Sequence, residues 1–335
     1  LASGIEALII NAVHDVIPKD FLFDEHRAEL PPPKSPKEAL ASVQTKAGFV
    51  TDLVACEPLV VDPVAIDWDA DGRLWIVEMA DYPSGMDGKG KPGGRVRFLE
   101  DTDDDGRYDH STLFPEQLSF PTGILTWRDG VLVTAAPDIL FLRDTNGDGK
   151  ADEKRVLFTG FSEGNQQLRV NGLRWGLDNR VYCAMGAHYR GYAASTKIKS
   201  TLTGKEVEIG SRDFRFHPDT GEIEPQSGPS QFGRTRDDWG HWFGSQNSRP
   251  LWNYVLQEEY LRRNPHVPAP DPVQQVMVPL NPKVYPIGPN EKRFHSFEQG
   301  GHFTSGCSGM IYRDTLLFSE SDGVQGFACE PFHNL

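Results

Sequence analysis

One stretch of the sequence indicates the fold: Val64-Ala-Ile-Asp-Trp68, then a turn at Asp71-Gly72, and then Arg73-Leu-Trp-Ile-Val77. Two runs rich in β-branched and aromatic residues flank an Asp-Gly pair, which is the strongest short-range signal for a β-hairpin. The unit returns at 123–134 and at 171–182, each time with tryptophan before the turn. A hairpin that recurs about every 50 residues is typical of a β-propeller, and the repeated tryptophan favours blades over a long β-sandwich.

Looser copies of the hairpin end at His217–Gly221 and span 308–319 around Arg313-Asp314. About five blade starts are therefore recognisable, whereas a closed ring needs more, so six or seven blades are expected and this sequence predicts an incomplete ring. Residues 1–47 differ from the rest. They are predicted to form a short helical N-terminal arm, with an amphipathic helix near 4–17, a proline-rich linker and a helix from Pro36 to Val43. Residues 48–335 form the predicted all-β propeller.

Two acidic loops share one spacing: Asp101-Thr-Asp-Asp-Asp-Gly-Arg-Tyr-Asp109 and Asp144-Thr-Asn-Gly-Asp-Gly-Lys-Ala-Asp152. Oxygen side chains occupy positions 1, 3, 5 and 9, and glycine occupies position 6, as in calcium-binding loops where position 7 contributes a main-chain carbonyl. The predicted metal ligands are Asp101, Asp103, Asp105, Arg107, Asp109, Asp144, Asn146, Asp148, Lys150 and Asp152.

The bidentate glutamate of a helix–loop–helix calcium site is missing, because Thr112 and Arg155 stand at position 12. The flanking residues are strand-like, so we expect calcium-clipped turns that join the outer strands of successive blades. The alternative is a pair of Asp/Gly-rich hairpin turns without metal.

Charge and composition exclude several classes of function. A net charge of −14 disfavours nucleic acid and anionic membranes as partners, and no apolar run is long enough for a membrane span. The four cysteines form no CxxC motif, which argues against zinc, a redox pair and covalent haem within this segment. Their even number is compatible with disulfides, and calcium loops suit a calcium-rich exterior, so an exported protein (periplasmic, cell-surface or secreted) is expected. Buried hydrophobic cysteines are the alternative.

Three polar clusters are candidates for ligand binding. Arg169, Asn171 and His188 flank an inner strand, where they would bind an anionic or polyhydroxylated ligand, or else cap loop backbones. The run 230–243 places paired Arg and Asp beside tryptophan, which suits a sugar or a quinone, or else forms surface salt bridges. His302 and His333 add titratable groups. Predicted catalytic residues are His188, Arg169, Asn171, Arg236 and Asp237. Predicted cofactor-binding residues are Arg190, Arg234, Trp239 and His241.

Several long motifs resemble one known family. They include Arg169-Val-Asn-Gly-Leu-Arg-Trp175, Gln231-Phe-Gly-Arg-Thr-Arg-Asp-Asp-Trp239, Gly301-His-Phe-Thr-Ser305 and Cys329-Glu-Pro-Phe-His333. Over residues 36–335 the chain resembles the membrane-bound dehydrogenase domain of planctomycete-type bacteria, which is similar to glucose/sorbosone dehydrogenase propellers. That resemblance implies calcium, pyrroloquinoline quinone (PQQ) and a carbohydrate or alcohol substrate. It also implies a haem c domain or another electron acceptor in longer polypeptides.

One residue departs from the pattern of this family. Leu168 stands where glucose dehydrogenase-type propellers have a histidine that acts as general base, and leucine cannot accept a proton. The hypotheses are therefore a quinoprotein-like oxidoreductase, with His188 or His241 as the base, and a non-catalytic calcium-stabilised propeller that binds carbohydrate or protein. A metal-dependent lactonase-type propeller is a third hypothesis.

Overall fold

The computed structural model describes residues 34–187, 189, 191–264, 266, 268, 270–285, 301–319 and 323–333. Its helices in this part of the chain are short, and none is long and apolar enough to cross a membrane. Helix α1 (Pro36–Ser42) begins with a capping box in which Ser35 and Glu38 exchange hydrogen bonds, so the helix predicted at this position is confirmed. The helical run predicted at 4–17 lies outside the described residues.

The chain divides into two compact units. Unit 1 comprises Leu1–Pro121 with Asp144–Asp152, and unit 2 comprises Thr122–Arg143 with Glu153–Leu335. Unit 1 contains one antiparallel sheet in the order β1-β2-β3-β4. Its strands are β1 (Pro63–Trp68), β2 (Leu74–Glu78), β3 (Arg95–Glu100) and β4 (His110–Leu113). The first predicted hairpin is β1–β2. Strand β2 lies between β1 and β3 and is buried along its whole length.

Unit 2 contains three larger antiparallel sheets and one hairpin. Their strands are β5 (Gly123–Trp127), β6 (Gly130–Ala135), β7 (Asp138–Arg143), β8 (Glu153–Thr159), β9 (Asn171–Trp175), β10 (Val181–Ala184), β11 (Lys197–Ser200), β12 (Glu206–Glu208), β13 (Phe214–Phe216), β14 (Ile223–Pro225), β15 (Arg234–Arg236), β16 (Trp242–Gln246), β17 (Arg249–Tyr254), β18 (Val273–Gln275), β19 (Cys307–Tyr312) and β20 (Gln325–Cys329). A short helix, α2 (Glu258–Leu261), lies between β17 and β18.

The sheets of unit 2 repeat one plan. The sheet β5-β6-β7-β8 is extended by β11 and β12, and two others run β9-β10-β13-β14 and β15-β16-β17-β18. A four-stranded antiparallel meander is the blade of a β-propeller. The predicted fold class, all-β with propeller-type blades, is therefore confirmed, and two of the predicted hairpins are β5–β6 and β9–β10.

The structure corrects three details of the prediction. The acidic loops join β3 to β4 and β7 to β8 within one sheet each, because the chain reverses and pairs with the strand it has just left. The predicted copy at 308–319 is not a complete hairpin, since β19 pairs with β20, which begins only at Gln325. The sequence does not predict the sheet β15–β18 as a blade, because its first strand is three residues long and carries two arginines.

Candidate functional site

The acidic loop between β3 and β4 is held by hydrogen bonds from its own main chain. Asp101 accepts N–H bonds from Asp105 (3.2 Å) and Gly106 (2.8 Å). Asp109 accepts two bonds from Thr102, one from its N–H (3.1 Å) and one from its hydroxyl (2.7 Å). Gly106 has φ +85°, a conformation that glycine adopts without strain. The carboxylates at positions 1 and 9 are therefore fixed in place.

The loop between β7 and β8 has the same hydrogen-bond frame. Asp144 accepts the N–H of Gly149 (2.7 Å), which again bonds position 6 to position 1. Asp152 accepts the N–H (2.9 Å) and the hydroxyl (2.8 Å) of Thr145. The sequence repeat is therefore also a structural repeat, and both loops belong to unit 1.

Three carboxylates of the first loop converge. Ligand oxygens of Asp101, Asp103 and Asp105 all lie within 4.8 Å of one another. Calcium binds oxygen at about 2.3–2.6 Å, so two ligands on opposite sides of one ion are about 5 Å apart. The charge of Asp105 is the largest cause that raises the pKa of Asp103, which shows that these groups repel one another. A divalent cation would relieve this repulsion, and hard oxygen donors fit calcium.

The second loop carries less repulsion. Asn146 occupies position 3, so this loop has one carboxylate fewer at the ligand positions. Burial is the largest single effect on the pKa of Asp144 and acts to raise it, but N–H bonds, led by those from Gly149 and Gly147, together outweigh it and lower the pKa. Main-chain N–H groups therefore already stabilise part of the negative charge that a bound cation would stabilise at this loop.

Asn171, a predicted catalytic residue, joins two blades through its side chain. Its amide nitrogen donates to the carbonyls of Arg169 and Gln231, at 2.8 Å each. Its amide oxygen accepts the N–H of Gly233 at 2.7 Å. A Cβ placed at the neighbouring Gly172 would lie 2.3 Å from the Cα of Gly233, so the two chains approach too closely for a larger residue. The side chain of Asn171 therefore acts as a backbone clamp.

Arg169 also contacts backbone. Its side chain is buried (6% exposed) and donates to the carbonyl of Glu163 at 2.7 Å. Leu168, which takes the place of the expected base, is buried in a 3-10 turn and offers no proton acceptor. The other predicted residues of this region, His188 and Arg190, lie outside the described residues, and their roles stay predictions.

The turn between β15 and β16 is built on Asp237. One carboxylate oxygen accepts the N–H groups of Trp239 (3.0 Å) and His241 (2.8 Å), and the other lies 2.6 Å from Nδ1 of His241. Burial acts to raise the pKa of Asp237, but the bonds from His241 outweigh it and lower the pKa. Trp239 is 72% exposed at the tip of this turn.

The structure places the predicted catalytic residues Asn171 and Arg236 at opposite ends of β9. Asn171 begins β9, whereas Nε of Arg236 donates to the carbonyl of Trp175 (2.9 Å), where β9 ends. A strand rises about 3.3 Å per residue, so these points are about 13 Å apart. Asp237 and His241 lie beyond Arg236, and the two predicted clusters therefore do not form one site.

Arg234 lies in the core and forms a buried ion pair that the sequence did not reveal. Its guanidinium lies 3.4 Å from Asp213, which is fully buried, and its carbon is 4.4 Å from the centre of the Tyr254 ring. Asp213 also accepts hydrogen bonds from the N–H (2.9 Å) and hydroxyl (2.6 Å) of Ser230. Burial raises the pKa of Asp213, and the charge of Arg234 acts against that rise. Aromatic residues surround the pair, so Arg234 does not face a ligand channel.

Two motifs that carry the family resemblance meet in the structure. Glu330 is fully buried and accepts the N–H groups of Thr304 (3.0 Å) and Ser305 (3.0 Å). Nε2 of His333 lies 2.8 Å from the carbonyl of His302. The segments before β19 and after β20 are therefore bound to each other by side-chain to main-chain contacts. No spacing rule in the sequence indicates this pairing.

A family model described as a domain of unknown function, DUF7133, matches residues 35–335. The chain belongs to the DUF7133 family. The match covers both units and nearly the same residues as the resemblance found in the motifs, but the description of the family gives no activity. No curated protein matches this DUF7133 chain.

Solved structures show only weak similarity. A luciferin-regenerating enzyme matches with 10% identity and a TM-score of 0.38, covering 59% of this chain and 57% of its own. A proposed oxidoreductase (glucose dehydrogenase) from Thermus thermophilus has 17% identity and a TM-score of 0.38, covering 57% and 59%. Virginiamycin B lyase from Staphylococcus aureus has 15% identity and a TM-score of 0.28, covering 61% and 85%. The chain thus spans less than two thirds of the length of the first two of these proteins. None of these similarities supports a statement about activity.

The clamp formed by Asn171 leads to a stability prediction. We expect Asn171→Ala to lower the free energy of unfolding by about 1–3 kcal/mol, because it leaves buried main-chain groups without partners. Urea denaturation measures this, with the exposed Asn264→Ala as the matched control. If both variants unfold at the wild-type midpoint, the clamp contributes nothing.

The turn at Asp237 leads to a pH prediction. A carboxylate with a lowered pKa stabilises the fold above the ordinary aspartate pKa of about 3.9, and this contribution is lost as the pH falls through the lowered folded value. Asp237→Asn keeps an acceptor but cannot titrate. We therefore expect the variant to melt below wild type at pH 7, and the difference to shrink by pH 3. A difference independent of pH would contradict this.

Proposed function

We propose that this chain is a calcium-binding propeller-type domain in which ions at the two acidic loops stabilise unit 1. The observation that carries the proposal is the convergence of Asp101, Asp103 and Asp105 within 4.8 Å. The repeated hydrogen-bond frame of the second loop supports it. The proposal includes export, since millimolar calcium outside cells fills loops of modest affinity.

The contacts of the loops explain why bound ions would stabilise this unit. Tyr108, in the first loop, donates its N–H to the carbonyl of Val54 (2.8 Å) and accepts a bond from the indole of Trp68 (2.9 Å). Ala151, in the second loop, donates to the carbonyl of Phe114 (3.1 Å). An ion that fixes either loop would therefore also fix the neighbouring segments of unit 1.

The quinoprotein alternative has less support among the described residues. PQQ carries carboxylates and needs cationic side chains that are free to bind them. Arg169 and Arg236 are bound to main-chain carbonyls, and Arg234 lies in the core. These three guanidiniums are thus already engaged, and Arg190 lies outside the described residues, so we derive no catalytic step through PQQ. The other candidate partner class is a carbohydrate or protein bound without catalysis.

Calcium counting tests the proposal directly. The protein is stripped with a chelator and dialysed against labelled calcium, and bound ions are counted per chain. We expect binding at the first loop before the second, because affinity rises with the number of carboxylate ligands. Magnesium is the matched competitor for these sites, because it requires a smaller, octahedral set of ligands than calcium does. No bound calcium at millimolar concentration would overturn the proposal, whereas dye reduction with PQQ and a panel of sugars would support the alternative.

A further inference from the structure

Two of the four cysteines face each other across the last hairpin. Cys307 begins β19 and Cys329 ends β20, and the two are partners in the antiparallel register of this pair. Directly opposite residues in an antiparallel ladder point to the same face of the sheet. The two thiols are therefore neighbours, although 21 residues separate them in the sequence.

The distance between opposite residues suits a disulfide. Opposite Cα atoms in an antiparallel pair lie about 4.5 or 5.5 Å apart, depending on whether the pair is hydrogen-bonded. A disulfide requires Cα atoms about 4.4–6.8 Å apart. A register shift lies between Cys307 and Met310, but Cys307 is still the ladder partner of Cys329, which brings the two residues close to this range.

The residues beside the two cysteines are already fastened. Glu330 follows Cys329 and accepts the N–H groups of Thr304 and Ser305, which precede Cys307. Gly306 donates its N–H to the carbonyl of Asn247 at 2.9 Å. Hydrogen bonds therefore already hold the chain in place at the end of the hairpin opposite its loop. A covalent bond between the two cysteines there needs no large movement of the backbone.

The other two cysteines have no comparable partner in the described part of the chain. Cys183 is fully buried in β10, and Cys56 lies in unit 1, outside any strand. Cys329 is exposed and Cys307 is half-buried, so an oxidant reaches Cys329 first. Burial, with the charges of Cys329 and Glu330, raises the pKa of Cys307 to about 11.

We propose that Cys307 and Cys329 form a cross-strand disulfide when a small disulfide oxidant is present, and that this pair is therefore a site of oxidative modification. The Cys329 thiolate attacks one sulfur of oxidised glutathione and releases one glutathione thiolate. The Cys307 sulfur then attacks Cys329, breaks the mixed disulfide and releases the second glutathione. The two cysteines lose two electrons and two protons in total, and the oxidant is reduced to two glutathione molecules. The bond holds together the segments that contain His302 and His333.

The test uses the whole chain in its native state. The protein is oxidised with glutathione disulfide, the remaining thiols are blocked, and peptides are mapped without reduction. We expect two of the four thiols to disappear and one cross-linked peptide to contain Cys307 and Cys329. Links to Cys56, covalent dimers, or a glutathione adduct that stays on Cys329 would each overturn the proposal.

A matched pair of variants separates the bond from general effects of substitution. Oxidation is expected to raise the melting temperature of wild type and of Cys56→Ser, because a closed loop restricts the unfolded chain. Cys329→Ser is expected to show no rise. A rise of equal size in Cys329→Ser would contradict the assignment. The calcium proposal stands apart from this result, since it concerns unit 1 and other residues.

Discussion

Replacing Arg234 by methionine is expected to destabilise the protein by about 3 kcal/mol or more, although the sequence predicts a cofactor-binding role for this residue. The side chain is 2% exposed and lies 3.4 Å from the carboxylate of Asp213. Removing one partner of a buried ion pair leaves the other charge without compensation in a medium of low polarity. Methionine fills most of the volume, so the loss reports the charge rather than a cavity. Urea denaturation of the whole chain measures it.

Two further variants show whether the ion pair causes the loss. Arg249→Met changes an exposed arginine on β17, a strand of the same sheet, and is expected to cost less than about 0.5 kcal/mol. Adding Asp213→Asn to Arg234→Met removes the stranded charge and is expected to recover part of the stability. Equal losses in Arg234→Met and Arg249→Met would contradict a buried pair. If stability is unchanged but ligand binding is lost, the result would instead support the cofactor-binding role that the sequence predicts for Arg234.

Calcium is expected to raise the melting temperature by several degrees. A ligand that binds only the folded chain adds about 2.7 kcal/mol at one hundred times its dissociation constant. One kcal/mol shifts the melting temperature of a domain of this size by roughly 2–4 °C. Asp103→Asn removes a negative charge from the cluster but keeps an oxygen at position 3, as Asn146 does in the second loop, so we expect it to reduce the shift. Scanning calorimetry with and without a chelator measures the effect.

Asp104→Asn is the matched control within the same loop. It removes the same charge, but position 4 is not a ligand position, and asparagine tolerates the φ of +60° found there. We expect Asp104→Asn to keep the calcium shift nearly whole. If the two variants lose the shift equally, general charge reduction explains the effect, and a specific site is excluded.

Local sequence patterns are enough to predict three of the hairpins and both acidic loops. The hairpins β1–β2, β5–β6 and β9–β10 follow from runs of β-branched and aromatic residues around short turns, and these signals are local in the chain. The shared frame of the acidic loops follows equally from local spacing, because each Asp bonds main-chain groups of its own loop. The order of strands within most of the sheets is also local, since each strand pairs with the one before it.

The partners of the polar side chains, in contrast, follow from tertiary contacts. Asn171 reaches a carbonyl 60 residues away, Arg234 pairs with Asp213, and Glu330 binds main-chain groups 25 and 26 residues earlier. Such partners depend on which strands become neighbours after the chain has closed long loops, and no residue spacing records that. Asn171 and Arg234 therefore resemble ligand-site residues in the sequence, whereas in the structure Asn171 bonds main-chain groups and Arg234 lies in the core.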